Sequence, residues 1–300
     1  MIPRSNWFGL DRQLDPSASD VTILGVPFDG ACCYRPGAAE APDRLRELSR
    51  TATAVTETGT LLEGLNLADL GNLKSGGNTR DYFQSIEMWV STLPSEVFVI
   101  GLGGDHSVSV PLFSGFKRKA VGECGLIWLD AHPDLWDVYD GDRMSHACAL
   151  RRLIESCDLN PRRIALLGLR SFSPEEIDYL LSRQIFFMTA HDMAAKGMEW
   201  AAQKAIEQVH EADHIYLSLD IDFVDPSAAP GTGIPVPGGP GARDTLALLE
   251  PLFQKLRIRG MDIVEISPPN DPASVTSFLG VQILLQVLGV IWKRKNRFRV

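Results

Sequence analysis

Apolar segments of four to seven residues alternate with helical patterns along this chain, and no other feature of the sequence limits its fold as strongly. Segments in which nearly every residue is apolar predict strands that are buried on both faces. Strands that alternate with helices at this spacing predict an α/β fold, a mostly parallel sheet with helices on both faces. In such folds ligands bind at the carboxyl ends of the strands. The expected strands are Val21–Val26, Leu65–Leu70, Val97–Leu102, Gly125–Leu129, Arg163–Leu169, Ile185–Met188, His214–Leu219 and Gly260–Ile266.

Helical patterns occupy most of the intervals between these segments. We find no repeat, low-complexity tract or linker that would divide the chain, so we expect a single domain over residues 1–300. The expected helices are Pro42–Ser49, Thr79–Leu93, Val108–Lys119, Ser145–Cys157, Pro174–Arg183, Met198–Glu211, Arg243–Lys255 and a long C-terminal helix over Ala273–Lys293.

The segment CGLIWLDAHPDLWD joins a buried strand to polar residues at a spacing of two. Its residues Asp130, His132 and Asp134 point to the same side if the backbone is extended. Two carboxylates and an imidazole then face one spot, where burial is costly unless a cation lies between them. Taken alone, the segment fits a polar turn as well as a metal site.

Three other expected strands end in comparable residues. SLDIDFVDP places Asp220 and Asp222 two apart after a buried strand, and DIVEISPPND places Glu265 near the end of another. GLGGDHS begins like a dinucleotide-binding motif, but His106 occupies the position of its third glycine. We therefore interpret the glycines as allowing close backbone approach, and we regard the histidine as a ligand or as an ordinary polar residue.

These strand ends together supply two histidines and four aspartates. A set that is rich in oxygen and lacks thiolate disfavours structural zinc and favours two Mn²⁺ ions, with Ni²⁺ and Co²⁺ as alternatives. Two such cations can activate a water for attack on an electrophilic carbon or phosphorus. The six candidate ligands are His106, Asp130, His132, Asp134, Asp220 and Asp222.

The amino-acid composition limits the partners and the cellular locations that we expect for this protein. The formal net charge of −9 argues against nucleic acid and is compatible with a cationic substrate. The longest nearly apolar run, Val281–Trp292, is shorter than the roughly 18 residues of a membrane-spanning helix, so we expect no membrane span. Five cysteines without a CxxC pair, and an N-terminus without an apolar signal region, favour a cytoplasmic location.

Five motifs, GGDHS, DAHPD, SLDIDFVDP, APGTG and DIVEISPP, occur in this order, and together they resemble the ureohydrolase family of arginases and agmatinases. The resemblance implies a single ureohydrolase domain with a three-layer α/β/α fold. It also implies a binuclear Mn²⁺ centre that hydrolyses a guanidino group to urea and an amine, in a homotrimer or homohexamer.

The resemblance further assigns roles. One cation would bind His106, Asp130, Asp134 and Asp220, and the other would bind His132, Asp130, Asp220 and Asp222, so that Asp130 and Asp220 bridge. Among the catalytic residues, Asp134 would pass a proton to the leaving amine and Glu265 would hold the guanidinium group. His146 would relay protons to bulk water, although it precedes Ala147 where many agmatinase-like members have glycine.

The substrate is less constrained. The loop LWDVYDGDRMS lacks the Asn and early Ser with which arginases hold an amino acid, so we expect agmatine, hydrolysed to putrescine and urea in polyamine metabolism. Its acidic residues Asp137, Asp140 and Asp142 form either a solvated loop or a negative rim for the cationic tail. Trp136 and Tyr139 could instead build a cation–π pocket for another guanidine.

Alternative functions remain open. The substrate could be guanidinobutyrate, guanidinopropionate or guanidine. A non-catalytic subunit is disfavoured because all six ligands are present. A two-metal phosphoesterase is disfavoured because no Arg/Lys cluster accompanies the ligands.

Overall fold

The computed structural model describes residues 6–11, 15–74 and 78–296, and in this part of the chain eight parallel strands form one sheet. Every expected strand is confirmed, with bounds that agree within two residues. Burial of all residues in most of them explains their continuous apolar sequences. The strands are β1 (Val21–Gly25), β2 (Leu67–Asn72), β3 (Phe98–Leu102), β4 (Cys124–Leu129), β5 (Ile164–Leu169), β6 (Phe186–Thr189), β7 (His214–Asp220) and β8 (Ile258–Val264).

The eight expected helices are also confirmed within the described residues, and one more helix, α6, was not expected. Thr189 caps α6 by accepting a hydrogen bond from the backbone N–H of Asp192 at 3.1 Å. The T-x-x-D sequence of this cap was the available signal. The helices are α1 (Ala41–Ser49), α2 (Thr79–Ser91), α3 (Ser109–Lys119), α4 (Ala149–Cys157), α5 (Pro174–Arg183), α6 (Ala190–Lys196), α7 (Met198–Val209), α8 (Ala242–Lys255) and α9 (Val275–Asn296).

The strand order is β2-β1-β3-β8-β7-β4-β5-β6, so the four strands that carry the candidate ligands and Glu265 are neighbours at the centre of the sheet. Leu129 pairs with Leu219, and Leu219 pairs with Ile263. The residues that follow these positions therefore emerge side by side at the carboxyl edge. This strand register, rather than any local sequence signal, brings the residues of the site together.

Helices cover both faces of the sheet, as the three-layer α/β/α prediction requires. Along β1 and β3 the side chains alternate between two apolar clusters, since Ile23 and Ile100 join one cluster and Leu24 and Val99 join the other. The first cluster includes side chains of α1, α7, α8 and α9, and the second includes side chains of α2, α3, α4 and α5.

The glycines of GLGGDHS permit a close backbone approach, as expected. A Cβ on Gly104 would lie 1.7 Å from the carbonyl oxygen of Phe28, a separation that no side chain tolerates. That oxygen accepts the N–H of Asp105 at 2.8 Å, and the carbonyl of Gly104 accepts the N–H of Glu265 at 2.8 Å. These contacts join the segments that carry His106 and Glu265.

The C-terminal helix is longer than its most apolar run suggested. Within the described residues, Pro272–Asn296 is a helical stretch long and apolar enough to cross a membrane, because Gln282 and Gln286 interrupt its apolar character only briefly. However, 67% of its most apolar window is buried inside the protein, and α9 packs against α1 and α8. Burial of this kind is typical of a core helix. Of the five basic residues at positions 293–300, Arg297 and Arg299 lie outside the described residues.

Candidate metal centre

The imidazole of His106 faces three carboxylates at the carboxyl edge of the sheet. Its Nδ1 lies 3.1 Å from Oδ2 of Asp130, 3.1 Å from Oδ2 of Asp134 and 3.2 Å from Oδ2 of Asp220. All four side chains are buried. Among the described residues this nitrogen has no hydrogen-bond partner, which is costly for a buried polar atom. A cation among these four groups would satisfy them.

A second group forms around His132. Its Nδ1 lies 3.0 Å from Oδ2 of Asp222 and 3.6 Å from Oδ1 of Asp130. Asp130 therefore directs one oxygen to each imidazole, as a bridging ligand would. The second oxygen of Asp220 accepts the N–H of Asp222 at 2.8 Å. The structure thus brings together all six predicted ligands, while the bridging role of Asp220 stays a prediction.

Hydrogen bonds behind His106 determine which of its nitrogens faces the carboxylates. Nε2 lies 2.9 Å from the hydroxyl oxygen of Ser218, and that hydroxyl donates to Oδ1 of Asp262 at 2.6 Å. Because the hydroxyl proton goes to Asp262, Nε2 carries the proton that Ser218 accepts, and Nδ1 keeps a lone pair. Tyr216 donates to the other oxygen of Asp262 at 2.9 Å.

The indole of Trp128 supports the same imidazole from the side. The two rings stack with centroids 3.9 Å apart and planes at 7°, and the indole N–H donates to Oδ2 of Asp130 at 2.9 Å. Sequence reasoning missed Trp128, Ser218 and Asp262. The signal for Ser218 was its place two residues before Asp220 on one face of β7, and the signal for Asp262 was a carboxylate inside a buried strand.

The raised pKa values of three ligand carboxylates indicate that the site lacks positive charge. Burial and the neighbouring carboxylates raise the pKa of Asp220 well above its usual value, and burial with the charge of Asp130 raises that of Asp134 to about 7. Burial and Asp130 also raise the pKa of Asp222. Four carboxylates and two imidazole nitrogens are a donor set that suits divalent cations such as Mn²⁺. The residues therefore fit the binuclear centre that the arginase family carries.

Glu265 and His146 form a buried pair beside the ligands. Oε1 of Glu265 accepts the backbone N–H of His106 at 2.8 Å and lies 2.8 Å from Nδ1 of His146. Burial lowers the pKa of His146, but the charge of Glu265 and the hydrogen bonds with Cys33 and Glu265 together outweigh burial and raise the pKa well above its ordinary value. His146, which the family resemblance assigns to proton relay, is 93% buried between Glu265 and Cys33. His146 also lines the cavity that opens onto the ligands, and its role as a proton relay stays a prediction.

A cavity of about 350 Å³ opens onto these groups. Trp136 and Tyr139 form part of its wall as an edge-to-face pair with centroids 5.7 Å apart, and Phe172 forms another part. Among the described residues that line the cavity, the acidic ones are Asp134, Glu176, Asp220, Asp222 and Glu265, and none is Lys or Arg.

Two aspartates of the acidic loop after the DAHPD motif bond to neighbouring groups of the protein, and the negative rim that one interpretation proposed stays a prediction. Asp137 accepts a hydrogen bond from Arg152 at 2.9 Å, and Arg143 lies 2.8 Å from the same oxygen. Asp142 accepts the N–H of Met144 at 2.7 Å. Asp137, Asp140 and Asp142 are not among the lining residues described for the cavity. The loop contributes its aromatic residues instead.

Comparisons with known proteins agree with this geometry. Residues 19–289 match the model of the arginase family. The chain is 32% identical to the human mitochondrial guanidino acid hydrolase over 93% of this chain and 80% of that protein. It is also 32% identical to an agmatinase of Neisseria meningitidis over 93% and 90% of the two chains.

A solved structure leads to the same result. The agmatine ureohydrolase of Thermoplasma volcanium superposes with a TM-score of 0.83 at 30% identity, covering 96% of this chain and 94% of that one. Fold, ligand geometry and similarity over nearly the whole length therefore agree: this chain belongs to the arginase family and is a ureohydrolase.

Proposed function

We propose that this protein hydrolyses agmatine to putrescine and urea, with two Mn²⁺ ions as the native metals and Ni²⁺ or Co²⁺ as possible substitutes. One observation carries the choice of substrate: the cavity is acidic and aromatic, and no Lys or Arg is among its described lining residues. Such a lining favours a substrate whose tail carries a positive charge over one whose tail carries a carboxylate.

Similarity to named relatives does not make this choice. The human guanidino acid hydrolase and the Neisseria agmatinase are each 32% identical to this chain. The lining of the cavity supports the choice of agmatine, because the carboxylate of a guanidino acid would favour a cation as its partner. Arg35 and Arg170 donate to backbone carbonyls instead. Arg35 donates to the carbonyls of Gly233 and Thr232 at 3.0 and 2.9 Å, and Arg170 donates to the carbonyl of Val236 at 2.8 Å.

The ammonium tail of agmatine would be recognised by Glu176 and the aromatic wall. Glu176 is the one acid among the described lining residues that belongs neither to the metal groups nor to the Glu265–His146 pair. Its carboxylate is fixed by the N–H of Leu135 at 3.1 Å and the N–H of Ser173 at 2.9 Å. A carboxylate held in this way can accept a charged donor without further ordering. Trp136 and Tyr139 would add cation–π contacts.

The mechanism assigns one task to each residue. When bound, the two divalent cations supply the Lewis acidity that makes water a nucleophile at neutral pH. Glu265 would hold the planar guanidinium by charge-assisted hydrogen bonds and fix its carbon for attack. His146 keeps that carboxylate in place through its Nδ1–H at 2.8 Å. Asp134, on the cavity surface, would deliver a proton to the leaving amine.

The proposal also includes the cellular location, the subunit count and the metabolic role of the enzyme. We propose a cytoplasmic homotrimer or homohexamer with a role in polyamine metabolism. The five cysteines form no disulfide in the structure, and this is compatible with a reducing compartment. Free guanidine is the second candidate substrate, since it is a cation without an acidic group and satisfies the same lining.

A substrate panel tests the proposal. Urea release is measured for agmatine, guanidine, guanidinobutyrate, guanidinopropionate and L-arginine, with Mn²⁺ and Ni²⁺ in parallel. We expect kcat/KM for agmatine to exceed that for each guanidino acid at least tenfold. A guanidino acid that is turned over faster than agmatine would overturn the substrate. Absence of urea from every compound with either metal would overturn the catalytic proposal as a whole.

A further inference from the structure

A thiol, an imidazole and a carboxylate form a connected series along one wall of the cavity. Sγ of Cys33 lies 3.1 Å from Nε2 of His146, and Nδ1 of the same ring lies 2.8 Å from Oε1 of Glu265. All three residues line the cavity. A nucleophile, a base within hydrogen-bond distance and a third group that orients the base are the arrangement that activates a thiol.

The hydrogen bonds define the direction of proton transfer. The backbone N–H of Cys33 points to Nε2 of His146 at 3.3 Å, so Nε2 is the accepting nitrogen of the ring. Nδ1 then carries the hydrogen that is donated to Glu265. The thiol proton of Cys33 can therefore pass to Nε2, and the resulting imidazolium lies between the sulfur and the carboxylate.

The other four cysteines, all of which the structure describes, lack these features. Cys124 and Cys148 are buried, and burial raises the pKa of each to about 11. Burial also raises the pKa of Cys32. Cys157 is half-buried beside the hydroxyl of Ser114 at 3.0 Å and away from the cavity. Only Cys33 is exposed, and it is exposed inside the cavity.

We propose that Cys33 is a covalent modification site for small electrophiles that carry an amidinium group. The proposal rests on the proposed role of Glu265 as the guanidinium-binding carboxylate. An amidinium has the same planar pair of N–H donors, so Glu265 would hold it within the cavity that Cys33 lines. A haloacetamidine bound in this way presents its carbon–halogen bond to the sulfur.

The reaction balances without a further reagent. The sulfur of Cys33 attacks the CH₂ carbon of 2-chloroacetamidine, a C–S bond forms, and the C–Cl bond breaks as chloride leaves with its electron pair. The thiol proton goes to Nε2 of His146, and the resulting imidazolium stays paired with Glu265. The product is a thioether that fills the guanidinium position and blocks the substrate.

The experiment compares a charged reagent with a neutral one. The metal-loaded enzyme is treated with 2-chloroacetamidine or 2-chloroacetamide, and peptide mass spectrometry measures the rate at Cys33. Each rate is divided by that of the same reagent with glutathione. We expect the normalised rate to be at least tenfold higher for the amidine and to fall at least fivefold when agmatine or guanidinium is present. Equal normalised rates, or label on another cysteine, would overturn the proposal.

Four variants test which side chains produce the preference for 2-chloroacetamidine. Cys33→Ser should abolish the label, and Cys157→Ser, at the half-buried position away from the cavity, should leave it unchanged. Glu265→Gln should remove the preference for the amidine, and His146→Asn should slow both reagents at least fivefold. Metal content and circular dichroism are measured for each variant. If Glu265→Gln binds metal and folds normally yet keeps the preference, Glu265 does not direct the reagent and the inference is wrong.

Urea release by the unmodified enzyme separates this inference from the proposed function. An enzyme that hydrolyses agmatine but shows no preference for the amidine contradicts the inference alone. An enzyme that shows the preference, with protection by guanidinium, but releases no urea from agmatine contradicts the proposed substrate alone.

Discussion

The hydroxyl oxygen of Ser218 lies 2.9 Å from Nε2 of His106, on the ring nitrogen that does not face the carboxylates. Since this hydroxyl donates to Asp262, it can only accept from the imidazole. A hydrogen bond from Ser218, which is not itself a ligand, thus determines which nitrogen of His106 can bind a cation.

We predict that Ser218→Ala weakens metal binding about 10- to 100-fold, because the imidazole loses the partner that holds its orientation and tautomer. Mn²⁺ titration by isothermal calorimetry measures the change. Ser182→Ala is the matched control, since Ser182 is exposed on α5 and should leave the affinity unchanged. Unchanged affinity in Ser218→Ala would show that Trp128 stacking suffices to orient the ring.

Substitution of Asp130 should remove more cations than substitution of Asp222. Asp130 has an oxygen in each group, whereas, of the two imidazoles, the carboxylate of Asp222 approaches that of His132. Asp130→Asn should therefore lose both metals, and Asp222→Asn should keep the metal beside His106. Elemental analysis after gel filtration measures metal per chain. If both variants retain the same metal content, Asp130 does not bridge.

Glu265→Gln should retain its metals and lose turnover. The change removes the negative charge that pairs with the guanidinium, and we expect kcat/KM to fall at least about 100-fold, or about 3 kcal/mol. Urea release and elemental analysis are measured on the same sample. Glu199→Gln, at an exposed position of α7, should behave as wild type. Loss of metal from the Glu265 variant would place that carboxylate among the ligands instead.

Glu176→Gln should discriminate between substrates with and without an ammonium tail. We expect KM for agmatine to rise about tenfold, because a charge-assisted hydrogen bond becomes a neutral one, and the KM for guanidine to stay unchanged. The neighbouring Glu175→Gln is the control, since Glu175 is exposed. Equal effects on both substrates would mean that Glu176 acts through the structure of the loop.

Gly104→Ala should destabilise the fold by about 3 kcal/mol or more, because its Cβ would overlap the carbonyl of Phe28 at 1.7 Å. Urea unfolding monitored by circular dichroism measures the loss. At Gly241, before α8, the nearest side-chain atom to an added Cβ is 3.5 Å away, so Gly241→Ala should cost about 1 kcal/mol or less. Similar losses in the two variants would contradict the close approach.

Much of the fold could be predicted because its signals are local. Continuous apolar segments such as Ile164–Leu169 indicated buried strands, and the spacing of two in DAHPD and SLDID placed pairs of ligands on one side of the backbone. Helix α6 was missed because it is only seven residues long and its capping sequence follows a strand directly.

The sequence by itself determined the eight strands, the described helices other than α6, the α/β class and the six side chains able to bind cations. Only the tertiary structure decided that β3, β8, β7 and β4 are neighbours, that Asp262 reaches His106 through Ser218, and that Cys33 meets His146. It also decided that Asp137 pairs with Arg152. The physical reason is the same in each case: these contacts join residues far apart along the chain, and strand pairing and burial, which a local pattern does not encode, choose the partners.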